Sequence, residues 1–157
     1  MQRKSVSITS MVATPMMIVC GLLFAGSSVW ADDGQPTCTL KMLKGRYLFA
    51  DKGTALPPFG GVTGPTPSSV AGFHLFNGNG TGTDIVTLVV NGVPVLRNAA
   101  VPLTYTVNAD CTGTITTLIP GGPRFDIFVA PNGDAVAIIG VDPGNYFSSI
   151  SQRVSPM

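Results

Sequence analysis

Beyond residue 40 the hydrophobic positions of this chain recur mainly at every second residue. Alternation of that kind marks β-strands with one face turned to a core, because successive side chains leave a strand on opposite sides. It predicts strands near 43–50, 70–77, 82–90, 93–98, 102–107, 113–119, 124–130, 135–141 and 146–154. Only TLKMLKG, residues 39–45, offers a helical turn. The runs are parted by Asn91-Gly92, Pro120-Gly121-Gly122, Pro131-Asn132-Gly133 and Asp142-Pro143-Gly144-Asn145. Asn91-Gly92 between two apolar runs is the sequence of a two-residue type I′ hairpin turn. Asp51 to Ser69, rich in glycine and proline, exceeds the usual loop length. It is expected to be a mobile lid or a packed cover over one end of the fold.

Eight or nine consecutive antiparallel strands must bury one face and hide their edges. A closed barrel does both, and a two-sheet sandwich is the competitor. Hairpin-length links throughout favour the barrel, since a sandwich needs crossovers between its sheets. The fold class expected is all-β, an antiparallel up-and-down eight-stranded barrel.

The same alternation sorts the faces. Leu43, Tyr47 and Phe49 point inward, with Lys44 and Arg46 outward; Leu103, Tyr105 and Val107 point inward, as do Phe125, Ile127 and Val129. In the run 84–90, Asp84, Val86, Leu88 and Val90 share the interior face. A two-residue turn at Asn91-Gly92 then sets Val90 opposite Val93, Leu88 opposite Val95 and Val86 opposite Arg97, leaving Asp84 diagonal to Arg97. His74 shares a face with Val70, Gly72 and Phe76 against Ala71, Phe73 and Leu75, and is read as outward. The interior polar set is therefore Tyr47, Asp84, Arg97 and Tyr105. Two readings of it stand: a grip on the polar end of an otherwise apolar ligand, or an Asp84–Arg97 pair at a wet rim with tyrosines that only pack.

The N-terminus changes the picture of where the protein works. Arg3 and Lys4 precede an apolar stretch of about 14 residues, Met11 to Phe24, shorter than the ~20 that span a bilayer. Val29 and Ala31 fit a signal-peptidase site, so residues 1–31 read as a signal peptide cleaved after Ala31. Residues 32–157 are then a single domain, exported to a periplasm or secreted, with no membrane attachment after cleavage. Cys38 and Cys111 are the cysteines that survive processing. Export makes a disulfide between them the expectation over two separate buried thiols.

Charge excludes more than it suggests. Without Arg3 and Lys4, seven basic residues face eight aspartates, and the chain has no glutamate. No basic stripe marks a nucleic-acid partner. One histidine and two distant cysteines make a metal site improbable and call for no cofactor. A Ser–His–Asp triad would have to use His74, and no G-x-S-x-G elbow is present. Among the aspartates only Asp84 is expected inside, so paired-carboxylate chemistry has no second member. The stretch FNGNGTGTD, residues 76–84, looks like a phosphate loop, but a β-run follows it rather than a helix. Its glycines are turn residues needing positive φ.

FNGNGTGTD, LTYTVNADCTGTIT and FDIFVAPNGDAVAIIGVDPG, with the lead-in from Cys38 to Tyr47, resemble small exported bacterial proteins of the allene oxide cyclase barrel superfamily. That calycin-like, eight-stranded fold is shared with plant dirigent proteins, and the resemblance spans residues 38 to 153. YTVNADCTGT is its most specific element. The resemblance implies a closed barrel with an apolar cavity, often in oligomers. No residue matches the cyclase's catalytic carboxylate, because glutamate is missing; Asp84, Arg97 and Tyr105 echo the residue types of dirigent-like sites. A fold carries over in this way and an activity does not. The leading expectation is binding of a small, mostly apolar molecule in the barrel. An isomerase or cyclase in the same cavity, with Asp84 or Tyr105 as acid or base, is the first alternative. A structural or surface-interaction protein with a filled barrel is the second. Outward Ile85, Val89 and Leu96 leave room for a homo-oligomer under each.

Overall fold

The computed structural model describes residues 37–156. The expected signal peptide, residues 1–31, lies outside the described residues. Among the described residues nine strands form one antiparallel sheet: β1 Gly45–Ala55, β2 Thr66–Phe76, β3 Thr81–Val90, β4 Val93–Val107, β5 Thr112–Thr117, β6 Arg124–Val129, β7 Ala135–Gly140, β8 Asn145–Tyr146 and β9 Ser148–Ser155. Each of β2 to β6 pairs with the next, β7 pairs with β9, β9 with β1, and β1 with β2, which closes the circle. The two-residue β8 adds onto β1. The fold is the eight-stranded up-and-down barrel that the hairpin-length links favoured.

The turns follow the sequence. Asn91 and Gly92 adopt φ of 49° and 78°, the double positive φ of a type I′ turn, and Val90 pairs with Val93. A 3-10 helix, Leu40–Leu43, precedes β1. The expected run 146–154 is divided into β8 and β9, and two further stretches differ from expectation. The runs 93–98 and 102–107 are one strand, β4, because bulges absorb its irregular pairing with β3. Asp51 to Ser69 is strand at both ends: β1 continues to Ala55 and β2 begins at Thr66. Only 56–65 remains as a connection, with a 3-10 turn, Phe59–Gly61, inside it.

The barrel is packed in one half and hollow in the other. In the packed half Leu43, Tyr47, Phe76, Leu103, Tyr105, Ile115, Ile127 and Val136 are almost completely buried in one cluster. Burying each such side chain contributes on the order of 1.5–3 kcal/mol. The 3-10 helix plugs this end, with Leu43 fully buried in the cluster, and the Cys38–Cys111 disulfide ties its approach to the β4–β5 turn. The expected bridge is thus present, and Cys38 N also donates to Ala109 O at 3.1 Å. Toward the opposite end a smaller group, Phe49, Val86 and Val101 with Val70 and Leu96, coats a wall instead of filling a core.

Candidate functional site

A cavity of about 470 Å³ occupies the hollow half. Its walls are chiefly aliphatic and aromatic: Val70, Val86, Leu88, Leu96, Val101, Phe125 and Phe147 among them. Phe59, Gly60 and Val62 from the 56–65 connection border it, together with Val95 and Ile119, which are exposed. The cavity therefore reaches the surface at this end, and the connection forms part of its rim. The cover expected from Asp51–Ser69 is reduced to this short piece.

At the floor, where the hollow meets the packed half, His74 and Asp84 face each other across β2 and β3. Nδ1 of His74 lies 2.6 Å from Oδ1 of Asp84, and both side chains are more than nine-tenths buried. His74 is therefore an inward residue, contrary to the outward reading. Its face, shared with Val70, Gly72 and Phe76, is the interior one. The opposite face is apolar too, but Phe73 there is covered by the Arg46 guanidinium, 3.5 Å from the ring centroid. The imidazole is sandwiched by rings: Phe49 at 4.1 Å and 12°, Phe76 at 5.5 Å and 18°. The bond to Asp84 occupies Nδ1, which leaves Nε2 as the ring nitrogen open to a second partner. Nε2 is buried and has no partner in the protein.

The local sequence fixes this pairing through the turn 77–80. Asn77 N donates to Thr81 O at 3.0 Å, and Asn79 Oδ1 accepts from Thr81 N at 3.1 Å and from Thr81 Oγ1 at 2.8 Å. Gly78 and Gly80 take φ of 81° and 90°. The FNGNGTGTD stretch is thus a hairpin corner, and counting outward from it sets Phe76 opposite Gly82 and His74 opposite Asp84.

Of the four interior polar residues expected from sequence, Asp84 alone lines the cavity. Tyr47 and Tyr105 are inside, at 0% and 4% exposure, but in the packed half. Tyr105 accepts a hydrogen bond from Gly78 N at 2.9 Å, which pins the corner that sets the His74–Asp84 register. Tyr47 donates to Gly133 O and accepts from Arg153. Burial pushes both phenols up; the Arg153 hydrogen bond opposes this for Tyr47, and backbone hydrogen bonds at Gly80 and Gly78 oppose it for Tyr105. Arg97 is exposed, and the expected pair with Asp84 does not form. Two register shifts in β4 place Leu96 opposite Leu88 and Ala99 opposite Val86, so Arg97 falls within the irregular stretch and turns outward. Leu96, expected outside, lines the cavity.

Sequence reasoning missed Asp51, which lines the cavity wall, so Asp84 is not the sole inward aspartate. Burial raises its carboxyl to about 6, against backbone hydrogen bonds from Ser148 and Lys52 that pull the other way. Asp51 pairs with Val70, four residues from His74 on β2, or about 13 Å along the strand. It is thus a separate polar point on the wall rather than a member of the His74 pair. The alternation in β1 carried the signal for Asp51, since it continues the inward series Tyr47, Phe49.

No group of three or more His, Cys, Asp or Glu positioned to hold a metal occurs among the described residues. Comparison with protein families, with curated proteins and with solved structures finds no match to this chain.

Proposed function

We propose that the protein binds a small, mostly apolar molecule inside the barrel. The observation that carries this reading is the cavity of about 470 Å³ with apolar walls and a few polar points. Ligand pockets of this kind run from about 300 to 1,000 Å³. A filled barrel with a purely structural role fits less well, because the packing that fills one half stops at Phe49 and Val101. The reading includes export, supported by the Cys38–Cys111 disulfide, a bond that persists in oxidising compartments. It also includes kinship with the allene oxide cyclase barrels, which rests on the resembling sequence stretches such as YTVNADCTGT. Association of copies would use the outer face, where Phe128, Ile139 and Ile150 are exposed.

The test is titration with the neutral apolar dye N-phenyl-1-naphthylamine, read by fluorescence, on the wild type and on Val86→Phe. Val86 is buried and lines the wall, so a phenyl ring there takes up cavity space. Saturable uptake by the wild type and at least tenfold weaker uptake by a folded Val86→Phe are expected. Equal affinities in the two proteins, or no uptake by the wild type, would overturn the reading.

A further inference from the structure

We infer that His74 is a general base at the cavity floor, positioned by Asp84, which removes an acidic C–H proton from an apolar carbonyl-type substrate. This rests on the cavity being a binding site and adds what happens there. His74 and Asp84 both line the cavity, and their bond occupies Nδ1. The protein leaves Nε2 unused, although the ring is held between Phe49 and Phe76 and shielded from bulk water. A buried nitrogen without a partner costs stability, so a structural imidazole would be expected to find a second bond. A neutral imidazole with its other nitrogen on a carboxylate is the arrangement that makes a base: as Nε2 takes a proton, the carboxylate stabilises the cation that forms.

The reaction class follows from what surrounds the pair. Among the described residues no nucleophile arrangement and no metal-ligand group accompanies it, so the step open to these residues is proton transfer. For an apolar β,γ-unsaturated ketone, Nε2 takes the proton from the carbon between carbonyl and alkene. The C–H electron pair passes into a dienolate, and the same proton returns to the far alkene carbon. Atoms and electrons balance with no oxidant or second substrate. His74 is the catalytic residue in this scheme and Asp84 a positioning residue.

The probe is 5-nitrobenzisoxazole, an apolar molecule with one acidic C–H. Removal of that proton by Nε2 forms the nitrile as the N–O bond breaks, its electron pair leaves on oxygen as a coloured phenolate, and the proton passes on to solvent. Phenolate release and dye uptake are measured side by side on the wild type, His74→Gln and Asp84→Asn. The wild type is expected to accelerate the elimination about a hundredfold or more over buffer, with the dye inhibiting competitively. His74→Gln should fall to background, and Asp84→Asn should lose at least tenfold in kcat at similar KM, while both still take up dye. Should His74→Gln fail to fold, the Asp84→Asn split and the dye inhibition of the wild type decide. Dye uptake by the wild type without acceleration, acceleration that the dye leaves untouched, or full activity in folded His74→Gln would each overturn the base assignment and leave the binding reading standing. Absence of dye uptake with no elimination would instead strike the binding reading, and this one with it.

Discussion

Arg153 and Tyr47, on the neighbouring strands β9 and β1, are joined twice: Nε and Nη2 of the guanidinium donate to the phenol oxygen at 3.1 and 2.7 Å. Nη2 also donates to Gly133 O at 2.9 Å and to Met42 O. One side chain thus ties the 3-10 helix, the β6–β7 turn and the barrel wall at the plugged end. Arg153→Ala leaves Met42 O without this donor and should cost about 1–3 kcal/mol in urea unfolding. Because the guanidinium opposes the burial that raises the Tyr47 phenol, the same substitution should also shift phenol titration upward in pH. Lysine at this position should restore only part of the stability, since an ammonium cannot reproduce the planar fork. An unfolding midpoint unchanged in Arg153→Ala would contradict this account.

Asp51 gives the fold a definite pH dependence. Its carboxyl is raised from 3.8 to about 6 in the native state, mainly by burial. Between those values the folded protein holds a proton that the unfolded chain has released, so this contribution falls as pH rises through the window and is level above it. Asp51→Asn removes the ionising group. The variant should gain on the wild type steadily from pH 4 to pH 6 and keep a constant advantage at pH 7. A stability difference that does not change across that range would show that the carboxyl is not held up by the cavity wall.

The Cys38–Cys111 bridge spans 73 residues of sequence. A loop of that length is worth on the order of 4 kcal/mol when closed, in the chain-entropy account. Reduction, or Cys38→Ser with Cys111→Ser, should lower the urea midpoint accordingly. Dye uptake should survive at denaturant concentrations where the barrel persists, because the bridge stands at the end away from the cavity. Loss of uptake in the folded reduced protein would mean that the plug supports the floor more closely than the packing indicates.

Gly72 sits two residues before His74, and a Cβ there would collide with the carbonyl of Ile85 and press on Val86 Cα at 3.1 Å. Both are backbone atoms of β3, which cannot rotate aside. Gly72→Ala should therefore cost about 1–3 kcal/mol and lever β2 away from β3 beside the His74–Asp84 bond. The second effect is visible as a shift or loss of the low-field Nδ1–H proton resonance of His74. A resonance identical to the wild type's would show that the strands accommodate the methyl without disturbing the pair.

The barrel was legible because its signals are local and redundant. Alternation, Asn91-Gly92 and the glycine corners each specify a turn or a face, and all agree with one closed sheet. The site was half legible. Asp84 could be placed inside from its own run, but its partner could not. The stretch Val70–Phe76 is apolar on both faces, and the choice between them depends on Arg46 covering Phe73 from another strand. Counting from the 77–80 corner would have paired His74 with Asp84, yet it requires knowing where that turn closes. Arg97 was lost to bulges in β4, marked by Asn98 at φ 45° and by its N–H, which bonds Thr87 Oγ1 at 3.1 Å. A bulge displaces every residue beyond it, and alternation alone gives no notice of one.

The plug at one end of the barrel sets an order of events at the other. Among the described residues Leu43 and the ring cluster around Tyr47 fill that end, so a molecule bound as proposed would enter and leave by the Phe59 side. Between walls set by paired strands a long molecule has little room to turn round. The leading end of such a molecule would face His74, and its trailing end would lie beside Phe59 and Val62. Orientation is thus chosen before arrival, at the rim, and the short connection of residues 56–65 is where discrimination between the two ends of a guest would be exercised.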